Sequence, residues 1–314
     1  MSARFGSGNY QYELVKGWGD SWPVEGVASD VATDSNGQVY IAVRTSQTEA
    51  CKTGVILVLN RDGSFVRQWG EEHFSTPHGL WINSDDEIFH ADSANHTVIK
   101  FSTSGELIMT LGTKNQLGPI GGPFRSPTRA VQSPSGEIFV SDGYWQNRVH
   151  RFTQSGEHVL SWGKGEPVFN RDAWSFYKKE AGDLATGIPS TGPGEFNLPH
   201  DVTVSRDNRI FVMDRENNRC QIFDTDGSYL EEWSDIRGPN DAIVDQNDIM
   251  FIAEGVGSVL VTTLDGDVID RWGKRGDDDG DFRGFPHGIW LDNQEDLYVA
   301  EVGATHAIQK FARI

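Results

Sequence analysis

The sequence contains little cysteine and no long hydrophobic run, and both absences narrow the class of protein. Its only cysteines are Cys51 and Cys220, too few for a disulfide framework, although a single bridge between them is compatible with the sequence. No apolar stretch reaches the ~18 residues that a membrane-spanning helix needs. The first ten residues contain no apolar signal-peptide core, so we expect a cytoplasmic protein with no membrane partner.

Basic residues are scarce as well. The 27 lysines and arginines are outnumbered by 46 aspartates and glutamates, and the formal net charge of −19 would repel a phosphate backbone. Nucleic acid is therefore not an expected partner. The sequence also lacks a Gly-x-Ser-x-Gly elbow, a P-loop, a dinucleotide-binding fingerprint and a Cys-x-x-Cys pair, which removes several common classes of enzyme.

The sequence is instead rich in an internal repeat of roughly 40 residues. Asp-Gly, Ser-Gly and Asn-Gly turns separate short apolar strands, which indicates an all-β fold. In each copy the second strand ends in a polar residue, usually Asp or Glu, and the fourth strand closes with Trp-Gly or a similar pair. Five copies cover residues 24–70, 74–112, 124–163, 195–234 and 236–273.

A sixth copy starts at Gly284 and stops one strand short. Residues 12–19 resemble a fourth strand with no copy in front of it, so pairing the two chain ends would close a ring. Four strands in a repeat of this length are typical of a β-propeller. We therefore predict an all-β, six-bladed β-propeller that forms one domain over residues 1–314. An insertion at 164–193, between blades three and four, would either cover one mouth of the channel as a lid or pack as a surface loop.

One phrase, Pro-His at the start of the innermost strand, occurs three times. His78, His200 and His287 fall in blades two, four and six. Alternate blades of a six-fold ring lie about 120° apart, so these side chains should converge on the axis. Three imidazoles with an open fourth position form a catalytic zinc site, although each histidine alone could be a feature of this strand type. The equivalent positions of the other blades carry no histidine: Ser29, Thr128 and Asn240.

The Pro-x-Gly-Ile/Leu and Asp-x-x-Asn-x-Arg patterns resemble the NHL repeat. Within that group the chain is similar to the peptidyl-hydroxyglycine amidating lyases, which produce C-terminal peptide amides. Three matches carry the similarity: residues 77–80 with 198–200, residues 139–148, and residues 214–221. The resemblance implies that His78, His200 and His287 bind zinc, that Tyr144 is the catalytic base, and that Arg44 is an active-site arginine.

The resemblance implies a zinc lyase that cleaves the C–N bond of a carbinolamide to an amide and an aldehyde. Zinc would bind the substrate hydroxyl, Tyr144 would take its proton, and Arg44 would hold a carboxylate or carbonyl. Three alternatives stay open: a hydrolase of amides, lactams or esters that uses zinc-bound hydroxide, a non-catalytic protein-binding propeller, and a calcium-dependent lactonase. In the second case Tyr144 would be an aromatic at a blade edge and Arg44 a surface ion pair.

Two departures from the family concern calcium and the substrate. The family has Met before its last Pro-His and Asp after it, and that Asp helps to hold a structural calcium, whereas this chain has Phe285 and Gly288. We therefore expect a small-molecule substrate and do not expect calcium. The acidic loop 276–282 lacks EF-hand spacing and is predicted to be structural. The acids that end second strands are predicted to accept blade-stabilising hydrogen bonds: Asp92, Asp142, Asp214, Glu254 and Glu301.

Overall fold

The computed structural model describes residues 3–20, 22–48, 51–164, 192–305 and 307–314. Within these ranges the regular structure is β-strand, apart from one turn of 3-10 helix at Arg215–Asn217. No helix in these ranges has the length and apolar character that crossing a membrane requires. Most of the predicted insertion, residues 165–191, lies outside the described residues, so its role as lid or surface loop stays a prediction.

The strands form six antiparallel sheets around one axis. The chain begins with β1 (Arg4–Ser7) and β2 (Tyr10–Leu14). Blade one contains β3 (Val27–Thr33), β4 (Val39–Thr48), β5 (Cys51–Leu59) and β6 (Phe65–Trp69). Blade two contains β7 (Pro77–Ile82), β8 (Glu87–Asp92), β9 (Thr97–Ser102) and β10 (Leu107–Gly112). Blade three contains β11 (Pro127–Gln132), β12 (Ile138–Asp142), β13 (Arg148–Phe152) and β14 (His158–Trp162).

Blades four to six follow the same pattern. Blade four contains β15 (Pro199–Val204), β16 (Ile210–Asp214), β17 (Arg219–Phe223) and β18 (Tyr229–Trp233). Blade five contains β19 (Pro239–Val244), β20 (Ile249–Glu254), β21 (Ser258–Thr263) and β22 (Val268–Trp272). Blade six contains β23 (Phe285–Leu291), β24 (Leu297–Val302) and β25 (Ile308–Arg313), and β2 pairs with β25. The six innermost strands contact one another in a closed cycle, which confirms the predicted propeller.

The closing strand differs from its prediction. It covers Tyr10–Leu14 instead of 12–19, because Gly17 and Gly19 both have a φ of +73° and end the extended backbone. Trp18, which was expected inside that strand, packs edge-on against Tyr298 with ring centroids 5.2 Å apart. The repeat pattern did not predict β1, which pairs with β2 as a fifth strand of the sixth sheet.

In blades one and five, the tryptophan that ends the blade packs against an aromatic ring of the next blade. Trp69 lies 4.9 Å from Phe101 between ring centroids, and Trp272 lies 5.1 Å from Phe311. Each such pair is worth about 0.5–1.5 kcal/mol beyond its buried area. These contacts fill the gaps between sheets and hold the inner strands at fixed distances from the axis.

The acidic loop makes internal contacts that are compatible with its predicted structural role. Gly276 N donates to Phe282 O at 3.1 Å, and the Phe282 side chain is fully buried in the core. Asp281 Oδ2 forms an ion pair with Lys274 Nζ at 3.2 Å. The thiol of Cys220 is free and buried.

Candidate metal site on the propeller axis

The three predicted histidines meet on the axis. The ring centroids of His78, His200 and His287 are 4.7 to 4.8 Å apart, close to an equilateral triangle. Each residue is at most 4% exposed. Their candidate ligand atoms lie within 4.8 Å of one another, and they form a group that could hold a metal ion. The inference from alternate blades therefore gave the right arrangement of side chains.

Buried acids fix the backbone just before each histidine strand. Asp92 Oδ2 accepts from Ser75 N at 2.6 Å, Asp214 Oδ1 from Asn197 N at 2.7 Å, and Glu301 Oε2 from Gly284 N at 2.8 Å. The acids of blades three and five, Asp142 and Glu254, accept from the equivalent amides. This confirms the predicted blade-stabilising role, and it places the histidines at one height.

Hydrogen bonds to the main chain orient all three imidazoles. His78 Nδ1 lies 2.8 Å from Thr128 O, His200 Nδ1 lies 2.5 Å from Asn240 O, and His287 Nδ1 lies 2.7 Å from Ser29 O. A carbonyl oxygen only accepts, so each Nδ1 carries the proton and donates it. The acceptors are the equivalent positions of the three blades without histidine. Each Nε2 therefore presents a lone pair, which is how outer hydrogen bonds prepare histidine for a metal.

The surroundings keep the imidazoles neutral. Burial lowers the pKa of His78, His200 and His287 well below the usual range. Nearby positive charge lowers these pKa values further: Arg44 acts on His78 and His287, and Arg215 acts most strongly on His200. Neutral imidazole is the form that binds metal ions.

Tyr144 lies directly beside the histidines. It follows β12, it is 7% exposed, and its hydroxyl oxygen is 3.0 Å from His78 Nε2 and 3.1 Å from His200 Nε2. A phenol has one proton and can donate to one of these nitrogens at a time. The Nε2 lone pairs of His78 and His200 thus compete for the single phenol proton, and a divalent cation bound to both nitrogens would remove that competition. The structure places Tyr144 at the site, and its role as base stays a prediction.

Arg44 reaches the site from blade one. Arg44 pairs with Val27 in the register where the other five blades carry Asp or Glu at the end of the second strand. Its Nε donates to Pro77 O at 2.8 Å, directly before His78. Blade one has therefore exchanged the structural acid for a cation near the imidazoles. This position is compatible with the predicted role of Arg44, which stays a prediction.

Sequence reasoning missed a second arginine at the site. Arg215 is 7% exposed and lies in the turn of 3-10 helix after β16. Its guanidinium carbon is 5.7 Å from the centroid of the Tyr144 ring, and its Nε donates to Glu216 Oε1 at 2.8 Å. The 214–221 segment was recognised as a family-like motif, but only the fold shows that Arg215 points toward Tyr144. Two arginines thus flank the site in a chain of net charge −19.

A second layer of side chains follows the histidines along the axis. In each blade this layer is formed by the residue that follows the histidine or its equivalent. A small cavity is lined by residues of both layers: His78, His200 and His287 from the first, and Asp30, Gly79, Arg129, Asp201 and Asp241 from the second. Arg129 forms ion pairs with Asp30, Asp201 and Asp241. We call these four residues the ion layer. The family's calcium does not fit here, because a guanidinium lies among these carboxylates and Gly288 has no side-chain oxygen.

Comparison with known proteins agrees with the fold and the motifs. The NHL repeat family model matches residues 196–223. The chain is 32% identical over 238 residues to NHL repeat-containing protein 3 of Homo sapiens, an alignment that covers 71% of this chain and 60% of that protein. It is 31% identical over 165 residues to peptidyl-alpha-hydroxyglycine alpha-amidating lyase 1 of Drosophila melanogaster, covering 51% of this chain and 27% of the relative.

The chain thus spans 60% and 27% of the length of these two curated relatives, less than two thirds of either. Among solved structures, a gluconolactonase from Xanthomonas campestris superimposes with a TM-score of 0.64 at 12% identity, covering 99% of this chain and 95% of the other. Identity at that level shows a shared fold alone. The closed ring shows a six-bladed β-propeller, and its repeats and sequence relatives resemble those of NHL-repeat proteins and of the peptidyl-α-hydroxyglycine α-amidating lyases.

Proposed function

We propose that this protein is a zinc-dependent lyase that cleaves the C–N bond of a carbinolamide to an amide and an aldehyde. One observation carries the proposal: three buried, neutral imidazoles point their Nε2 lone pairs at one position, beside the hydroxyl of Tyr144. The named activity of the Drosophila melanogaster relative supports the reaction class. Imidazole nitrogens, in contrast to carboxylate oxygens, favour zinc over calcium.

The bound zinc ion would act as a Lewis acid toward the substrate hydroxyl. The main-chain carbonyls of Thr128, Asn240 and Ser29 keep the imidazoles in the tautomer that binds it. In its phenolate form Tyr144 would take the hydroxyl proton, and its position within hydrogen-bond reach of two Nε2 atoms, and therefore beside the metal position, supports this role. As the carbonyl bond of the aldehyde forms, the C–N bond breaks, its electron pair stays on nitrogen, and that nitrogen takes up a proton to become the amide.

The two arginines favour a substrate that carries a carboxylate. Arg44 and Arg215 flank the histidines, and both lower the pKa of His287 and of His78. A guanidinium binds a carboxylate through two parallel hydrogen bonds. The substrate we propose is therefore a small carbinolamide with a carboxylate near the reacting carbon, as in an N-acyl hydroxyglycine.

The decisive experiment combines metal content with product detection. Protein purified without chelator is expected to contain one zinc per chain and to release aldehyde from an N-acyl hydroxyglycine. Replacing His78, His200 or His287 with Ala should remove both the metal and the activity. His158→Ala is the matched control, because that side chain is exposed on an outer strand and should leave both unchanged.

Other outcomes select other functions. Release of a carboxylic acid from simple amides, lactams or esters, with no aldehyde from the carbinolamide, would replace the lyase with a hydrolase. Protein that binds no metal under any condition would refute the catalytic proposal and favour a binding platform.

A further inference from the structure

The ion layer links neighbouring blades through its carboxylates. Leu80 N donates to Asp30 Oδ2 at 2.6 Å, which joins blade two to blade one. Ala242 N donates to Asp201 Oδ2 at 3.1 Å, which joins blade five to blade four, and Ile289 N donates to Asp241 Oδ2 at 2.8 Å, which joins blade six to blade five. Blade three has no such carboxylate and supplies Arg129 instead.

Arg129 completes this set of links across the axis. Its Nη1 contacts Asp30, its Nε lies 3.5 Å from Asp201 Oδ1, and its Nη2 lies 3.3 Å from Asp241 Oδ1. The four side chains are each at most 4% exposed. Asp201 Oδ1 has no hydrogen-bond partner, so the guanidinium is its source of stabilisation within the described residues.

Two glycines leave the space that the ion layer occupies. A Cβ on Gly79 would lie 2.9 Å from Arg129 Cα and 2.3 Å from Thr128 O. A Cβ on Gly288 would lie 2.3 Å from Asp30 Oδ1. Real Cβ atoms do not approach other atoms this closely. Blades two and six contribute neither an acid nor an arginine, and their glycines leave space for the ion layer.

The charges in the layer require a cation. Three acidic side chains face one guanidinium, and a buried acid that ionises without a cation beside it is strongly destabilising. Burial raises the pKa of Asp30 well above its usual range, while the Arg129 charge opposes that rise. Clustered carboxylate oxygens are also the ligands that calcium prefers.

We infer that Arg129 is the structural cation of the axial channel and takes the place of a bound metal ion below the histidine layer. The chain then needs no calcium for its stability, and removing the guanidinium exposes a site for a hard divalent cation formed by Asp30, Asp201 and Asp241. This inference is independent of any metal or activity in the histidine layer.

The test is thermal unfolding of the full chain, loaded with zinc, with and without millimolar calcium. The wild-type Tm should not change with calcium. Arg129→Met, which keeps much of the side-chain volume and loses the charge, should lower the Tm by roughly 5 to 10 °C without calcium. Calcium should restore a large part of this loss in a saturable way, and titration calorimetry should show one calcium per chain.

Two further variants keep the test decisive. Arg129→Lys retains a cation and should unfold near the wild-type Tm with no response to calcium. Arg129→Met combined with Asp241→Asn removes one candidate ligand and should lose the calcium effect. If Arg129→Met does not fold, refolding yield with and without calcium is the readout. A saturable calcium effect on the wild type, or an Arg129→Met protein whose stability or yield ignores calcium, would overturn the inference.

Discussion

Changing Tyr144 to Phe should move metal affinity and turnover in opposite directions. The Tyr144 hydroxyl lies 3.0 Å from His78 Nε2 and 3.1 Å from His200 Nε2, both of which are candidate metal ligands. A cation must displace this hydrogen bond before it can bind both nitrogens. Phe keeps the ring, and with it the packing against His78 and His200, but removes the competing donor.

The magnitude follows from the hydrogen-bond count. The hydroxyl has one proton, so one hydrogen bond is lost, with a net worth of about 1 kcal/mol. Metal affinity should therefore rise roughly fivefold. Turnover should fall by roughly 10²- to 10⁴-fold if the same hydroxyl is the catalytic base.

The assay is a chelator competition titration for zinc, run beside a steady-state assay of aldehyde release. His158→Ala again provides a control for purification and metal loading. Lower zinc affinity in Tyr144→Phe would show that the phenol helps to bind the metal, and would refute the competition argument. Unchanged turnover would show that Tyr144 is not the base.

Three further predictions concern stability and substrate binding. Burial raises the pKa of Asp241 to about 8 from an ordinary value of 3.8, so between these pH values the folded state holds a proton that the unfolded state releases. The free energy of unfolding of the metal-free protein should therefore fall as pH rises from about 4 to 8. Asp241→Asn should flatten this pH dependence in denaturant titrations, and an equally steep slope in the variant would exclude Asp241 as its source. Asp92→Asn replaces one of two acceptor oxygens with an NH2 donor, so either Ser75 N or the amides of Ala94 and Asn95 lose their acceptor. This should cost about 1–3 kcal/mol in chemical denaturation, whereas the conservative exchange Glu106→Gln, at an exposed position, should cost almost nothing. Arg44→Gln should raise KM for a carboxylate-bearing carbinolamide more than it lowers kcat, and an equal KM would show that Arg44 does not hold the substrate.

The ring and its histidines could be predicted because the repeat carries the information locally. A Pro-His phrase at one register position in alternate blades is enough to place His78, His200 and His287 together. The acids at the ends of second strands are likewise visible as a periodic pattern, and their hydrogen bonds lie within one repeat.

Features that depend on contacts between distant blades were not visible in the sequence. Arg129 pairs with Asp30 across 99 positions and with Asp241 across 112, and each residue taken alone is an ordinary charged residue in a strand. Arg215 belongs to a recognised motif, but its approach to Tyr144 depends on how blades three and four pack. The first strand, β1, has no counterpart in the repeat and therefore gave no periodic signal.

Backbone carbonyls, not side chains, hold the Nδ1 atoms of the histidines, and each carbonyl belongs to the blade that follows. Substitution of the Ser29, Thr128 or Asn240 side chain can therefore leave these bonds intact. A metal ion bound by all three histidines would therefore stabilise three blade interfaces: between blades two and three, four and five, and six and one. Metal binding should then slow the local opening of these interfaces. Amide hydrogen exchange in the inner strands would therefore report whether the metal site is occupied, even without substrate.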